Sequence, residues 1–420
     1  MDHTDYLLPP GSDVPPETMA RPGRMDIMDR FERFGPVCGF RRKGKLTVFV
    51  YGLERGTRLL EQHESDLRVV TMKLEHLFEH GFMRAMVGST HRNHRADLSR
   101  AVVRARNEQK SELTAITVID WLSRYQHKHF EGEPSVAFRK CLSGLATGLL
   151  LRFFFGAIDG TDFCDQLEEA YHRLGPDGLI WYPGQDEEAA FNTITDILRG
   201  QLSPQGKLHW DEHGVLGHLT ADGVSISESM LGNLIYMVEM GRFDLYSLFR
   251  WISKYAVDYP EKFENVRQDR IDPENNNRPY ANCFVKETLR MDQSEKLARL
   301  ALNDFVFENL LIPQGAAVQV CLWESHKSPE HFDNPFDFDP DRFLVADPEP
   351  HQYSPFGLDR HRCPLEQTVT AFAADFVGAL ARAFDFRAVG NGEAVRGLFH
   401  WQPPPGFALI VDSKSSKHAQ

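Results

Sequence analysis

The sequence predicts a mainly α protein with small β-sheets, and three observations point to that class. Apolar residues recur at helical spacing over most of the 420 residues. Ser225–Ala256 contains few helix breakers and indicates one long helix. Strand-like segments are few and short, and no Gly/Ser linker divides the chain. We therefore expect one large domain over residues 1–420, with residues 1–24 as an extended N-terminal segment.

Each predicted helix repeats apolar residues every three or four positions, whereas the predicted strands are short runs rich in β-branched and aromatic residues. Helices are expected at Met25–Phe34, Arg55–His63, His91–Asn107, Ala115–Tyr125, Ala137–Phe155, Glu187–Leu202, Ser225–Ala256, Arg278–Met291 and Leu365–Phe384. Strands are expected at Lys45–Tyr51, Phe305–Phe307, Ala317–Cys321 continuing through Leu322 and Trp323, and within His400–Asp412. The proline-rich stretch Ser328–Gly357 is expected to consist of loops.

Composition excludes several classes of function. The formal net charge is −13, and an acidic chain with no basic run is not expected to bind nucleic acid. No two of the six cysteines are spaced as C-x-x-C, which argues against a zinc ribbon and fits a reducing, cytoplasmic compartment. No apolar run is long enough for a signal peptide or a membrane anchor, so no membrane association is expected.

The segment Tyr353–Gln367 (YSPFGLDRHRCPLEQ) is the strongest local feature. It places Cys363 after a loop containing proline and glycine and directly before Pro364, which suits the first turn of a helix. The helix dipole and three adjacent basic residues favour the thiolate form of this cysteine. A single thiolate on a stiff loop suits an axial ligand to haem iron, and a buried structural cysteine is the alternative.

A second motif, Glu287-x-x-Arg290, places a carboxylate and a guanidinium within reach on one helix face. Such a pair is commonly a surface ion pair of little consequence. Downstream, the turn Phe338–Phe343 (FDPDRF) could bring Arg342 to the same carboxylate. The succession of E-x-x-R, D-P-D-R-F and F-G-x5-C within the last third of the chain is difficult to obtain by chance.

With these motifs the chain resembles the cytochrome P450 superfamily of haem-thiolate enzymes, most strongly over residues 278–384. The resemblance implies the P450 fold, in which one large domain encloses haem b (iron protoporphyrin IX). It implies that Cys363 is the metal ligand. Glu287, Arg290 and Arg342 match the family's buried triad, which is structural and not catalytic.

The resemblance also implies a set of residues that bind the cofactor. Phe356 and His361 match positions of the family's cysteine loop, the histidine facing a haem propionate. His91 and Arg95, four residues apart on one helix face, match a pair that binds the haem propionates in the family. Arg299 precedes an I-P-x-G hairpin and matches a further propionate partner. The alternative for each basic residue is a solvated surface charge.

Two glycines of the family's cysteine loop are replaced in this chain. Asp359 stands two residues after the first glycine of the loop, and Leu365 stands two residues after the cysteine. Both glycines allow close approach of the loop, the haem and the following helix, so the local packing must be compensated.

The distal helix is also atypical. Counting back from Tyr259–Glu261, which resembles a short motif after that helix, aligns Gly241 with the family's distal glycine. Met240, Phe243 and Asp244 then replace the family's alanine, acid and threonine. The usual acid–alcohol proton relay is absent in this alignment.

Three hypotheses for this helix remain open. Asp244, or Glu239 one turn earlier, could be a substitute proton donor. Arg242 could instead hold a substrate carboxylate, as in the family's peroxygenase branch. Alternatively, Arg242 and Asp244 face solvent or pair with other helices. Trp181 and Tyr182 are candidate lid residues over a substrate.

The expected activity is that of a soluble, bacterial-type P450 monooxygenase, which oxidises a small or medium apolar metabolite in secondary metabolism. A ferredoxin- or flavodoxin-type partner would supply electrons. The enzymatic alternative is a peroxygenase, or an isomerase or dehydratase, because the distal pair is missing. A catalytically silent relative that binds a partner protein is a third hypothesis, which retention of Cys363 disfavours.

Overall fold

The fold is described from a computed structural model of the chain. The described residues are 6–14, 23–70, 83–84, 86, 88–128, 132–175, 183–203, 211–221, 226–268, 279–293, 296–396 and 401–414. They form two compact units. The first unit draws on residues 1–70 and 287–363, and the second on residues 71–286, 364–397 and 401–420.

Helices account for most of the ordered structure among the described residues. They are α1 (Asp26–Phe34), α2 (Leu53–Gln62), α3 (Gly88–Glu108), α4 (Ser111–Lys128), α5 (Pro134–Phe155), α6 (Asp162–Leu174), α7 (Gln185–Leu202), α8 (Val215–Ala221), α9 (Glu228–Asp258), α10 (Pro260–Arg267), α11 (Tyr280–Thr288), α12 (Leu322–Ser325), α13 (Arg342–Val345) and α14 (Glu366–Ala383). A 3₁₀ turn at Gly23–Met25 precedes α1, and a π-helical turn at Leu289–Gln293 follows α11.

The strands are short, and most of them lie in the first unit. They are β1 (Val37–Arg42), β2 (Lys45–Val50), β3 (Leu67–Val69), β4 (Lys296–Ala301), β5 (Phe305–Phe307), β6 (Leu310–Ile312), β7 (Ala317–Cys321), β8 (Phe384–Val389), β9 (Val395–Arg396), β10 (Trp401–Gln402) and β11 (Ala408–Ser413). Two-stranded antiparallel pairs join β5 to β6, β8 to β11 and β9 to β10.

A five-stranded sheet with the order β1-β2-β7-β4-β3 organises the first unit. Strands β1 and β2 form a hairpin in which Arg42 pairs with Lys45. Its two turn residues, Lys43 and Gly44, have φ of 49° and 78°, which matches the twist that two-residue hairpins require. Strand β7 pairs parallel with β2 and antiparallel with β4. Buried side chains such as Val48 and Val320 form a continuous apolar core with α2.

Helices α5 and α9 pack against each other in the second unit. Helix α9 is 31 residues long and begins after Ser227, whose side-chain oxygen accepts a hydrogen bond from the Met230 N–H. Helix α5 ends at Gly156, which adopts a left-handed conformation with φ of 66°. Helix α14 contacts α4, α9 and α10, so this unit is a helical assembly with two small sheets beside it.

The predicted fold class is confirmed, and nearly every predicted helix is found within a few residues of its expected bounds. Leu322 and Trp323 begin α12 instead of extending a strand, so that prediction was wrong. The helix expected at Arg278–Met291 is regular only over Tyr280–Thr288 and then becomes a π-helical turn. Helices α6, α8, α10 and α13 and strands β1, β3, β4, β6, β8 and β9 were not predicted, and α13 lies within the stretch expected to consist of loops.

The domain boundaries 1–420, with an extended segment 1–24, stay a prediction. Within that segment, Leu7 forms an isolated parallel bridge with Leu310. Among the helices of the described residues, none combines the length and the apolar character needed to cross a bilayer.

Candidate functional site

The predicted cysteine loop lies in the first unit and is held by its own hydrogen bonds. The Cys363 N–H donates to the Phe356 carbonyl at 2.9 Å, and the Arg362 N–H donates to the Asp359 carbonyl at 2.8 Å. Five of the six cysteines are buried, whereas Cys363 is partly exposed. Helix α14 begins at Glu366, one residue after the predicted start, so Cys363 lies in the turn just before the helix. The loop therefore presents one partly exposed cysteine on a fixed backbone.

The start of the loop is fixed by Ser354. Its hydroxyl donates to the Gly357 carbonyl at 2.7 Å, and its N–H donates to Nε2 of the buried His326 at 3.0 Å. Gly357 has φ of 100°, where a side chain would strain the backbone. Burial, with the charges of Lys327 and Arg290, lowers the pKa of His326 well below its usual value. The neutral ring can therefore accept the Ser354 hydrogen bond.

Glu287, Arg290 and Arg342 meet as the sequence predicted. Arg290 donates to both carboxylate oxygens of Glu287, at 2.7 and 2.8 Å, and both side chains are fully buried. Arg342 Nε donates to Oε1 of Glu287 at 3.2 Å. The Asp339 N–H donates to the same oxygen at 2.8 Å. The carboxylate is thereby saturated with donors, which is the condition for stable burial of a charge.

Arg290 also joins distant parts of the first unit. Its Nη1 donates to the carbonyls of His326 and Pro335, at 2.8 and 2.7 Å, and its Nη2 donates to the Asp337 carbonyl at 3.1 Å. His326 thus accepts from Arg290 through its carbonyl and from Ser354 through its ring. One buried residue therefore connects the triad to the start of the cysteine loop.

Arg299 lies on β4 and is 4% exposed. Its Nη2 pairs with Oδ2 of Asp359 at 2.5 Å. The His361 N–H donates to the other oxygen of Asp359 at 2.9 Å. Burial opposes ionisation of Asp359, but the charge and hydrogen bond of Arg299, with the His361 N–H, lower the pKa of this carboxyl overall. Arg299 and His361, both predicted to bind the cofactor, are thus joined through Asp359.

His91 and Arg95 lie on α3 in the second unit, one turn apart as predicted. His91 is buried and Arg95 is partly buried. The neighbouring His94 approaches Nδ2 of Asn233 on α9 with its Nε2 at 3.3 Å, so α3 is tied to α9 next to this pair. The roles of His91 and Arg95 in binding the cofactor stay predictions.

Arg242 on α9 is buried, and its contacts are internal to the second unit. Its Nε donates to Oε2 of Glu239 at 2.7 Å, and its Nη2 donates to the Gly175 carbonyl at 2.8 Å. Burial raises the pKa of Glu239 despite the adjacent guanidinium. These contacts favour the alternative in which Arg242 pairs with other groups of the protein. Its hypothesised role as a carboxylate anchor stays untested.

Asp244 and Gly241 lie near the middle of α9. The Asp244 side chain is exposed, but protein around it removes enough hydration to raise the pKa of its carboxyl to about 7, against the opposing charge of Arg84. A Cβ atom on Gly241 would lie 3.1 Å from Cδ1 of Leu150 on α5. Gly241 therefore has a packing reason to be glycine, while Asp244 can hold a proton at neutral pH.

Comparison with known proteins bears on the part of the chain that contains the triad and the cysteine. A family model described as Cytochrome P450 matches residues 260–366. Abscisic acid 8'-hydroxylase 1 of Arabidopsis thaliana is 25% identical over 265 residues, which are 59% of this chain and 56% of that protein. Abscisic acid 8'-hydroxylase 2 of the same plant is 28% identical over 254 residues, 55% of this chain and 52% of that protein.

Residues 260–366, which contain the triad and the cysteine, thus match the cytochrome P450 family, and the curated relatives support the same superfamily. The chain spans about half the length of these curated relatives. The solved structure of cyanobacterial CYP120A1 with bound retinoic acid has a TM-score of 0.71 to this chain, at 20% identity, and covers 97% of this chain and 100% of that one. This likeness shows the P450 fold.

Asp359 and Leu365 distinguish this chain from the family pattern of the cysteine loop. Asp359 takes Arg299 as its partner, and Leu365 is buried at the start of α14. Both side chains thus have surroundings that accommodate them. The candidate lid residues Trp181 and Tyr182 lie outside the described residues.

Sequence reasoning did not find His326 or Lys327, two buried residues that support the Glu287–Arg290–Arg342 triad. Lys327 Nζ donates to the Arg290 carbonyl at 3.0 Å, and burial with the charge of Arg290 lowers the pKa of Lys327 well below its usual value. Both residues lie in a polar run, SHKSPE, with no periodic signal that would indicate burial. Only the contacts of Arg290 reveal their role.

Proposed function

We propose that this P450 is a monooxygenase that inserts an oxygen atom into a small or medium apolar metabolite. The observation that carries the proposal is Cys363, the one cysteine of the six that is not buried, on a loop held by the hydrogen bond from Cys363 to Phe356. A buried structural cysteine, the alternative considered above, does not describe it. Monooxygenation is supported further by the two Arabidopsis hydroxylases described above.

The residues present fit haem b. A partly exposed cysteine on a loop held by its own hydrogen bonds suits an axial ligand, and the nearly buried Arg299 adjoins the same loop through Asp359. Haem, when bound, supplies an iron centre at which oxygen is activated, with electron density donated by the thiolate. Cys363 would hold the iron, and Phe356 fixes the cysteine backbone. His361, Arg299, His91 and Arg95 are the proposed partners of the carboxylates.

The protein's own contribution is positioning and proton supply. The saturated triad around Glu287 and the bridge through His326 hold the cysteine loop in one conformation. The carboxyl of Asp244, whose desolvation by the surrounding protein raises its pKa to about 7, is protonated in about half of the molecules at pH 7 and can release that proton to a nearby acceptor. We therefore propose Asp244, and not the internally paired Glu239, as the substitute proton donor.

The substrate class is suggested by what the similar proteins act on or bind. Two relatives are named for hydroxylation of abscisic acid, and a structural neighbour holds retinoic acid. Both compounds are carboxylic acids with largely apolar carbon skeletons. We propose an apolar metabolite of this kind, formed in secondary metabolism, and these two acids are suitable first probes of binding.

The absorption spectrum of the reduced, carbon-monoxide-treated protein tests the assignment of Cys363. The native protein should show the red-shifted Soret band of a thiolate-ligated haem, and Cys363→Ala should lose it because no other cysteine lies on that loop. Cys38→Ala, which removes a buried thiol of the same unit, should keep the band. An unchanged spectrum in Cys363→Ala would refute the ligand assignment.

A second candidate is a haem-thiolate catalyst that needs no external electrons, such as a peroxygenase, an isomerase or a dehydratase. The altered distal helix, in which Phe243 and Asp244 replace the expected acid and threonine, favours it. Turnover with hydrogen peroxide alone is compared with turnover driven by NAD(P)H and redox proteins. Product only with the redox system supports the monooxygenase, and product with peroxide alone supports the peroxygenase. No turnover of any kind would support the partner-binding relative.

For the monooxygenase, a ferredoxin- or flavodoxin-type protein is the proposed electron donor. The described residues contain no element that the fold assigns to a flavin or an iron–sulfur cluster. The cytoplasmic location expected from the sequence stays a proposal.

A further inference from the structure

A cluster of two histidines and one glutamate lies in the second unit, among residues that the proposed oxidation does not use. Oε2 of Glu108 lies 2.5 Å from Nδ1 of His213 and 3.4 Å from Nε2 of His218. All three ligand atoms lie within 4.8 Å of one another. We call Glu108, His213 and His218 the His–Glu cluster.

Two helices and one turn bring the cluster together. Glu108 is the last residue of α3, His218 lies within α8, and α3 packs against α8. His213 lies in the turn before α8, where its N–H donates to Oδ1 of Asp211 at 3.0 Å. His213 and His218 lie 105 and 110 positions after Glu108, so the three residues converge only because α3 and α8 are neighbours.

The turn that carries His213 is held against the end of α5. The Asp211 N–H donates to the Gly156 carbonyl at 2.8 Å, and the Gly214 N–H donates to the Asp211 carbonyl at 3.2 Å. A Cβ atom on Gly156 would come within 2.0 Å of the Asp211 carbonyl oxygen, and one on Gly214 within 2.7 Å of the Gly156 nitrogen. The close backbone contact fixes the position of His213 before any ligand binds.

His218 provides an independent indication of a ligand. Its side chain is 10% exposed, and its Nε2 atom is buried without a hydrogen-bond partner among the described residues. Nε2 faces the Glu108 carboxylate at 3.4 Å, too poorly aligned for a hydrogen bond. A buried nitrogen without a partner is costly unless something else satisfies it. A metal ion between this nitrogen and the other two ligand atoms would do so.

We propose that the His–Glu cluster is a binding site for a divalent transition-metal ion, with Zn²⁺ as the best match. Two imidazole nitrogens and one carboxylate oxygen form a donor set that zinc accepts, with a fourth position open to water. His213 and Glu108 are exposed and leave room for that water. Ligand atoms of a tetrahedral zinc site lie about 3.3 Å apart. The Glu108–His218 distance already meets this value, and Glu108 and His213 would separate slightly on binding.

Such an ion would link the end of α3 to α8 and to the turn that precedes α8, which packs against the end of α5. Its expected effect is therefore stabilisation of the second unit, since an ion that binds only the folded state raises the melting temperature. The site is independent of Cys363 and of the proposed oxidation. Its presence or absence leaves those assignments unchanged.

Calorimetric titration with ZnCl₂ tests the site on the full-length, haem-loaded protein after treatment with a chelator. We expect one Zn²⁺ per chain and a rise in melting temperature. His213→Ala and Glu108→Gln should each weaken binding by at least about tenfold, because each removes a ligand. His213 is exposed, so its replacement leaves the core intact even where replacement of the buried His218 would not.

His172→Ala on α6 and Glu112→Gln on α4 are the matched controls, since both side chains are exposed and lie outside the cluster. Both control variants should bind Zn²⁺ as the native protein does. The proposal fails if the native protein binds no stoichiometric Zn²⁺. It also fails if His213→Ala and Glu108→Gln bind with native affinity, because the ion would then occupy another place.

Discussion

At the scale of single residues, the places where this chain departs from the P450 pattern have specific surroundings in the structure. Asp359 replaces a glycine of the cysteine loop and pairs with Arg299, a residue expected to face the cofactor. His326, which no sequence pattern singled out, joins Arg290 to Ser354. Asp359, which stands where the family pattern has a glycine, is thus part of the network that holds the cysteine loop.

Asp359→Asn removes the charge partner of the nearly buried Arg299. We expect the free energy of unfolding at pH 7 to fall by about 2 kcal/mol, since an ion pair is broken in a mostly buried place. Because the folded protein lowers the pKa of Asp359 below its ordinary value of 3.8, this contribution is complete above pH 3.8. It is lost as the pH falls through the lower, folded-state pKa.

Urea unfolding at several pH values measures this difference. Asp13→Asn, which loses only an exposed pair with Arg41, is the control and should cost under about 1 kcal/mol. Equal stability of Asp359→Asn and the native protein at pH 7 would show that the Arg299 pair contributes nothing.

Asp244→Asn tests the proposed proton donor. The Asp244 pKa, raised from 3.8 to about 7, predicts native turnover that declines above pH 7 as the carboxyl loses its proton. The asparagine variant should turn over at least about tenfold more slowly, and its rate should not show that decline. Asp258→Asn, an exposed change at the end of α9, should keep the native profile. A pH profile shared by Asp244→Asn and the native protein would exclude the role.

At the scale of elements, helix α9 has two roles. It carries the residues predicted to form the distal site, and it packs against other helices of the second unit. Its Gly241 faces Leu150 of α5, and its Arg242 binds Glu239 and the carbonyl after α6. Helix α11 likewise has two roles. It is part of the packed structure, and near its end Glu287 accepts the hydrogen bonds that fix a long loop of the first unit. Elements that shape the candidate site are therefore also those that hold each unit together.

Substitutions at Gly241 distinguish a packing role from a catalytic one. Gly241→Ala gains about 1 kcal/mol of helix propensity, which the 3.1 Å approach to Leu150 offsets, so its stability should stay near the native value. Gly241→Val should lose about 1–3 kcal/mol by overpacking. Thermal unfolding and turnover are measured on both. Native stability with lost turnover in Gly241→Ala would assign the glycine to the reaction instead of to packing.

Glu287→Gln tests the triad as the support of the cysteine loop. Neutralising the carboxylate leaves the buried Arg290 without its charge partner, so we expect a loss of about 3–5 kcal/mol in the free energy of unfolding. Arg199→Gln breaks an exposed pair with Glu228 and should cost under about 1 kcal/mol. Denaturant unfolding measures both. A similar, small loss in the two variants would mean that burial does not strengthen the triad.

At the scale of the whole molecule, the net charge of −13 and the scattered cysteines set limits that the structure does not alter. Five of the cysteines are buried, as expected of packing residues, and the sixth carries the proposed iron ligation. The likeness to solved P450 structures extends over nearly the whole chain at 20% identity or less, whereas the family model matches only residues 260–366. The similarity of fold thus extends over a longer part of the chain than the similarity of sequence to the family model.

Apolar spacing and short motifs were enough to predict the fold class, the helices of strong periodicity and the triad, because such patterns encode local structure. The sequence also singled out Cys363. Only the tertiary structure paired Arg299 with Asp359 and joined Glu108 to His213 and His218. These partners are far apart in the chain, and no local pattern records which surfaces of two elements meet. Contacts of that kind depend on packing, which decides the surroundings of every charge.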